Sequence, residues 1–254
     1  MLFVVLLFMA AAQSSAIFSP KVYIFVYAAT GLAIAFFVTW IFIRLERKSF
    51  MEYGLVWRKD TFFKFFKGIV IGTTGFLIIL LIFVLFTGLT IERNPAAWHP
   101  WTAFWYLPIL PLAFMEEIAF RSYPFLKLNG AFGLRITQLI IPIVFALYHI
   151  ALGWNVHTAF LGPGIWALVF GVAAFYSNGV ALPTGIHVAL NFSQAIFGMS
   201  TGEFEPIWVV HQDESESTAI VGLTTRILVL IAGIILTEFC VRNLQNSSSG
   251  NVAR

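Results

Sequence analysis

Three short stretches of an otherwise apolar sequence carry groups able to move protons or hold an anion. They are Phe-Met-Glu-Glu-Ile-Ala-Phe-Arg at 114–121, Phe-Ala-Leu-Tyr-His at 145–149 and His-Val-Ala-Leu-Asn at 187–191. On a helix Glu117 and Arg121 stand at i and i+4, within pairing reach on one face. Glu116 is turned about 100° away from them and has no counter-ion on its own helix. His187 and Asn191 are again i and i+4, and Phe145 lies one turn from His149. An unpaired carboxylate, two imidazoles and an amide, from three helices, are suited to line one polar cavity.

Each group also has a plain structural use. A Glu–Arg pair in an apolar helix serves as a packing clamp, and His and Asn serve as interhelical hydrogen-bonders. Their concentration favours function. Apart from Arg226 and Glu238 near the ends of the last apolar run, nearly all ionisable groups within such runs belong to these motifs, and ionisable groups there are costly. Pro108, Pro111, Pro142 and Pro183 precede the motif residues and are expected to bend their helices and open a polar cavity.

The elements that position these groups are membrane spans. The 254 residues are 59% hydrophobic and 11% charged, against roughly a quarter charged in a soluble domain, which excludes a water-soluble globule. The net charge of +3 comes from bunched basic residues, so a lipid surface is the expected partner and nucleic acid is not. One cysteine, Cys240, excludes an intrachain disulfide framework and a Cys-rich metal site. A bilayer core of about 30 Å needs about 20 apolar residues. Eight runs fit, at about 2–18, 22–43, 68–89, 102–122, 133–152, 158–176, 179–198 and 219–240. The expected fold is therefore all-α, a polytopic membrane protein with one transmembrane domain over 1–243, a motif-bearing core at 102–198 and a polar tail at 244–254.

Two loops are long. The segment 44–67 holds seven of the 15 basic residues, and basic loops stay in the cytoplasm. The segment 199–217 holds Glu203, Glu205, Asp213, Glu214 and Glu216 and no Lys or Arg. Five crossings between them put the loops on opposite faces, with both termini inside. Trp98, Trp101, Trp154 and Trp208 then fall at the outer surface and Trp40 and Trp57 near the inner one, as an aromatic belt does, while Trp166 is read as packing. Asp60–Lys67 reads as a capped interfacial helix. The first run, which lacks a basic leader, is read as a retained span rather than a cleaved signal.

Together and in this order, with gaps of 33 and 38 residues between Glu116, His149 and His187, the motifs resemble the CAAX protease and bacteriocin-processing (CPBP, or Abi) family. Its eukaryotic members are the Ras-converting CAAX endopeptidases. The resemblance covers about 102–198; Ser122 stands where many members have Gly. It implies an intramembrane endopeptidase of the glutamic type without a cofactor. In that scheme Glu116 is the base that activates water, His149 holds the water, His187 and Asn191 stabilise the oxyanion, and Glu117 and Arg121 fix the base-bearing helix. The implied partner is a peptide or protein substrate at the membrane.

Two rivals share these residues. A zinc protease would use Glu116, His149 and His187 as a His₂Glu set, although no His-Glu-x-x-His helix is present and Asn191 suits an oxyanion better than zinc. A non-catalytic immunity or scaffold protein would keep the fold alone. A transporter is disfavoured by the lack of inverted repeats. The short polar tail and the absence of eukaryotic targeting signals point to a bacterial cytoplasmic membrane.

Overall fold

A computed structural model describes residues 2–97, 99, 101–200, 204–211, 213 and 215–252. Trp98, Glu203 and Glu214, read above as belt and loop residues, lie outside the described residues. The helices are α1 (Leu2–Ser15), α2 (Pro20–Leu45), α3 (Thr61–Thr87), α4 (Thr102–Trp105), α5 (Ile109–Arg121), α6 (Tyr123–Ala151), α7 (Val156–Ala159), α8 (Ile165–Ser177), α9 (Ala181–Ile196) and α10 (Glu216–Val252). The fold is all-α. Its sheet among the described residues is one antiparallel ribbon of β1 (Thr90–Arg93) and β2 (Trp208–His211), in which Thr90 faces His211 and Arg93 faces Trp208.

Local chemistry sets the boundaries. Pro20 opens α2, where its missing N–H costs nothing. Gly88, at φ 69°, closes α3 in the left-handed turn that favours glycine. A φ of 77° at Gly133 divides α6, so that its second half starts where the fifth apolar run was expected. The bend therefore falls at Gly133, while Pro142 sits inside the helix. The sixth run is interrupted: α7 passes through a π-helical turn at Phe160–Gly164, which contains Pro163, into α8.

Five helical stretches are long and apolar enough to cross a membrane: Pro20–Leu45, Thr61–Thr87, Thr102–Ala151, Val156–Ser177 and Glu216–Asn246. Two expected runs differ from them. At 14 and 16 residues, α1 and α9 are shorter than the others, and α9 spans only about 24 Å at 1.5 Å per residue. Burial explains its brevity, since α9 packs against α3, α5 and α8 and need not reach both lipid faces itself. The expected interfacial helix at 60–67 is corrected as well. Thr61–Lys67 is the first part of α3 and continues into the apolar run unbroken. The tail from residue 244 continues α10 as far as Val252.

Contacts define two ends of the bundle. At one end, Glu46 accepts hydrogen bonds from Tyr53, Tyr123 and Lys127, and Lys64 donates to the Ser177 carbonyl at 2.9 Å. At the other, the β-ribbon closes, Tyr106 donates to the Glu205 carbonyl and Lys21 approaches Glu205 at 3.8 Å. The basic and acidic loops thus lie at opposite ends of α2.

Small residues draw α3 and α9 together. A Cβ on Gly72 would stand 2.6 Å from the Ile186 carbonyl oxygen, and one on Gly68 or Gly185 would meet the Leu182 or Phe65 carbonyl oxygen. Gly68-x-x-x-Gly72 facing Gly185-x-x-x-Ala189 is a small-residue seam of the kind that lets membrane helices approach backbone to backbone. His187 lies between the two small residues of α9, so this seam fixes its depth.

Candidate active site

The break at Tyr106–Pro108 shortens the fourth run to α5, 13 residues long, which carries Glu116, Glu117 and Arg121. Glu117 and Arg121 have fully buried side chains, and Arg121 Nη1 donates to Glu117 Oε1 at 3.3 Å. The guanidinium also lies over the Phe145 ring at 4.3 Å and the Phe170 ring at 5.2 Å, where the ring faces attract the cation. The expected pair is present, but Arg121 is not the nearer partner. Glu117 Oε1 accepts from His187 Nδ1 at 2.8 Å. Glu117 therefore orients a residue of α9 as well as pairing within α5.

That bond sets the His187 tautomer. A carboxylate only accepts, so Nδ1 carries a proton. The other nitrogen, Nε2, lies 3.6 Å from Glu116 Oε2. It donates to an oxyanion only when the ring holds its second proton; in the neutral ring it accepts. Phe170 stacks on the ring at 4.6 Å and holds its plane.

His149 is assigned in the same way. Its Nδ1 stands 2.8 Å from the Phe145 carbonyl oxygen, so Nδ1 donates and Nε2 keeps a lone pair. Phe145 thus supports His149 twice, through its carbonyl and through a ring contact at 4.6 Å. Trp154, expected in an interfacial belt, instead packs edge-on against the His149 ring at 5.1 Å. Trp166 stacks on Phe170, as a packing residue does.

Glu116 has a side chain 13% exposed. Tyr148 Oη donates to its Oε1 at 3.3 Å, and the Tyr148 ring lies edge-on to the His149 ring at 5.0 Å. Helices α5, α6 and α9 therefore bring Glu116, His149 and His187 to one place. Asn191 follows His187 by one turn on α9, half-buried, with no side-chain hydrogen bond to another described residue. Helical spacing puts its amide on the His187 face.

The levels of Glu116 and His149 meet because the fourth run begins its regular helix only at Ile109, while α6 continues past His149 to Ala151. Among the described residues, no group of three or more His, Cys, Asp and Glu side chains is arranged to hold a metal ion.

All of these motif residues fall within 96–193, a segment that matches one family model. That segment is similar to one known family. The matching family is described as Type II CAAX prenyl endopeptidase Rce1-like, which supports a CAAX protease-like membrane hydrolase with a membrane-associated protein substrate. No curated protein and no solved structure matches the chain. The matched segment includes α5, α6 and most of α9, the helices that carry Glu116, His149, His187 and Asn191.

Sequence reasoning missed Tyr148, Tyr27 and Phe170. A cue for Tyr148 was available, since a phenol beside His149 in an apolar run needs a polar partner. Tyr27 and Phe170 carried no spacing signal. The Gly68-x-x-x-Gly72 pattern is present in the sequence as a signal for the seam.

Proposed function

We propose that the protein is an intramembrane endopeptidase that hydrolyses a peptide bond near the C-terminus of a prenylated or otherwise membrane-anchored substrate, using a water activated by Glu116. The observation that carries this reading is the position of Glu116. It is partly buried beside His149 and His187, and its Oε1 is held by a neutral phenol rather than a cation.

Water between Glu116 and His149 gives one hydrogen bond to the carboxylate and one to the His149 Nε2 lone pair. As its oxygen attacks the scissile carbonyl, its proton passes to Glu116. The carbonyl oxygen becomes an oxyanion, stabilised by the Asn191 N–H and by His187 when that ring is doubly protonated. Glu116 then returns the proton to the amine nitrogen as the C–N bond breaks. Donors placed in advance in a water-poor site supply much of such a rate enhancement.

Under the same reading the basic end of the bundle faces the cytoplasm, because Lys and Arg concentrate there, and the membrane is proposed to be a bacterial cytoplasmic one. The reaction is proposed to be metal-free. The test is cleavage, by purified protein in lipid nanodiscs, of a peptide ending in a prenylated Cys-aliphatic-aliphatic-X sequence, with fragments identified by mass. Cleavage that persists in EDTA supports the proposal. Loss in EDTA with recovery on adding zinc overturns the metal-free step. In cells, wild type and Glu116→Gln are expected to differ by a new C-terminus on a membrane-anchored protein.

A further inference from the structure

Two phenols behind Glu116 form a chain that ends on its carboxylate. Tyr148 Oη lies 3.3 Å from Glu116 Oε1 and 3.0 Å from Tyr27 Oη. Tyr148 is 1% exposed and Tyr27 is 6% exposed. Each hydroxyl has one proton, and a carboxylate can only accept. The Tyr148 proton therefore goes to Glu116, and Tyr27 donates to the Tyr148 oxygen. Packing fixes both rings: Phe8 and Phe120 contact Tyr148 at 5.7 and 5.4 Å, and Tyr23 stacks on Tyr27 at 5.9 Å.

We propose that Tyr148, oriented by Tyr27, is a positioning residue that holds Glu116 by Oε1 and reserves Oε2 as the oxygen that takes the proton from water. The proposal rests on the reading of Glu116 as the base. Oε2 is the oxygen facing His187 Nε2, at 3.6 Å. When the water O–H bond breaks, its proton goes to Oε2, and Oε1 becomes the carbonyl oxygen of the acid. That oxygen still accepts from Tyr148, so the hydrogen bond lasts through the cycle. The proton stays on the oxygen that returns it to the leaving amine. Tyr148 adjoins His149 on α6, so the same bond fixes the base relative to the residue that holds the water.

A role confined to packing would leave catalysis by folded protein unchanged. The test compares wild type, Tyr148→Phe, Tyr27→Phe and the double variant in nanodiscs, on a farnesylated Cys-aliphatic-aliphatic-X peptide. Tyr148→Phe is expected to lower kcat about 10-fold, the scale of one hydrogen bond to a charged group, with KM within about twofold. Tyr27→Phe is expected to cost less, and the double variant no more than Tyr148→Phe, because Tyr27 acts through Tyr148. An unchanged kcat, a change in KM alone, or fully additive losses would overturn the proposal. A second readout needs no substrate: the infrared difference between wild type and Glu116→Gln isolates the Glu116 carboxylate band. Tyr148→Phe is expected to shift that band, and an unmoved band overturns the proposal. Full hydrolysis by Glu116→Gln would sink the reading of Glu116 as base, whereas the infrared arm judges the Tyr148 bond separately.

Discussion

Glu117 Oε1 accepts a hydrogen bond from His187 Nδ1 at 2.8 Å, joining residues 70 positions apart in sequence and on separate helices, α5 and α9. The second glutamate of the Glu-Glu pair thus sets the tautomer of a histidine, while the first is left for chemistry. The division resembles the way a buried carboxylate orients the histidine of a serine-protease triad.

Glu117→Gln keeps the shape of the side chain but replaces the fully charged acceptor of His187 and Arg121. Its kcat is expected to fall by at least about 10²-fold, towards the ~10⁴-fold loss that follows a wrong histidine tautomer elsewhere. Glu117→Ala is expected to unfold more readily by about 3–5 kcal/mol, because it leaves the Arg121 charge buried without a partner. Peptide kinetics and thermal unfolding in nanodiscs measure the two effects. Wild-type kinetics in Glu117→Gln would contradict the orienting role.

Asn191 presents the opposite case. Its side chain makes no hydrogen bond to another described residue, so Asn191→Ala is expected to leave the melting temperature within a degree or two. The kcat is expected to fall about 10²–10³-fold, the cost of one oxyanion donor. A large loss of stability with little loss of kcat would mean that the amide serves packing instead.

The three motifs were legible because each packs its polar groups into one or two helical turns, and a four-residue spacing declares a shared face without reference to any partner. The all-α fold was legible for a similar reason, since long apolar runs specify helices by composition alone. What periodicity does not specify is which face meets which neighbour. Tyr27 and Tyr148 are 121 positions apart, and nothing local to either marks the other. Trp154 looked like a belt residue by its place after a span, yet the turn after α6 folds it onto His149. Composition overstates the length of α9, because hydrophobicity does not distinguish a helix bathed in lipid from one buried by its neighbours.

The glycine seam gives a prediction that separates positioning from chemistry. Gly72→Leu is expected to push α9 away from α3 and cost about 1–3 kcal/mol from overpacking. Because His187 moves with α9, kcat is expected to fall even though no reacting group has changed. Gly75→Leu, on the same helix at a position with nothing within 4 Å of a Cβ, is the control and is expected to behave as wild type. Equal behaviour of the two variants would contradict the seam.

At the basic end, hydrogen bonds from Tyr123, Tyr53 and Lys127, in that order of effect, hold the Glu46 carboxyl down at about 2 against an ordinary 4.5. A carboxylate depressed on folding stabilises fully above its ordinary value, and that stabilisation is lost as pH falls from about 5 towards 2. The melting-temperature gap between wild type and Glu46→Gln is therefore expected to be widest near pH 6 and to close as pH approaches 2. A gap that does not change with pH would contradict the Glu46 clamp.

The central claim is that Glu116 activates the water. Its most direct test is kcat for wild type and Glu116→Gln on the prenylated peptide, in nanodiscs, with thermal unfolding measured on the same samples. Glu116→Gln is expected to melt within a few degrees of wild type while its hydrolysis falls to the background rate. A folded Glu116→Gln protein that hydrolyses the peptide at the wild-type rate would contradict it.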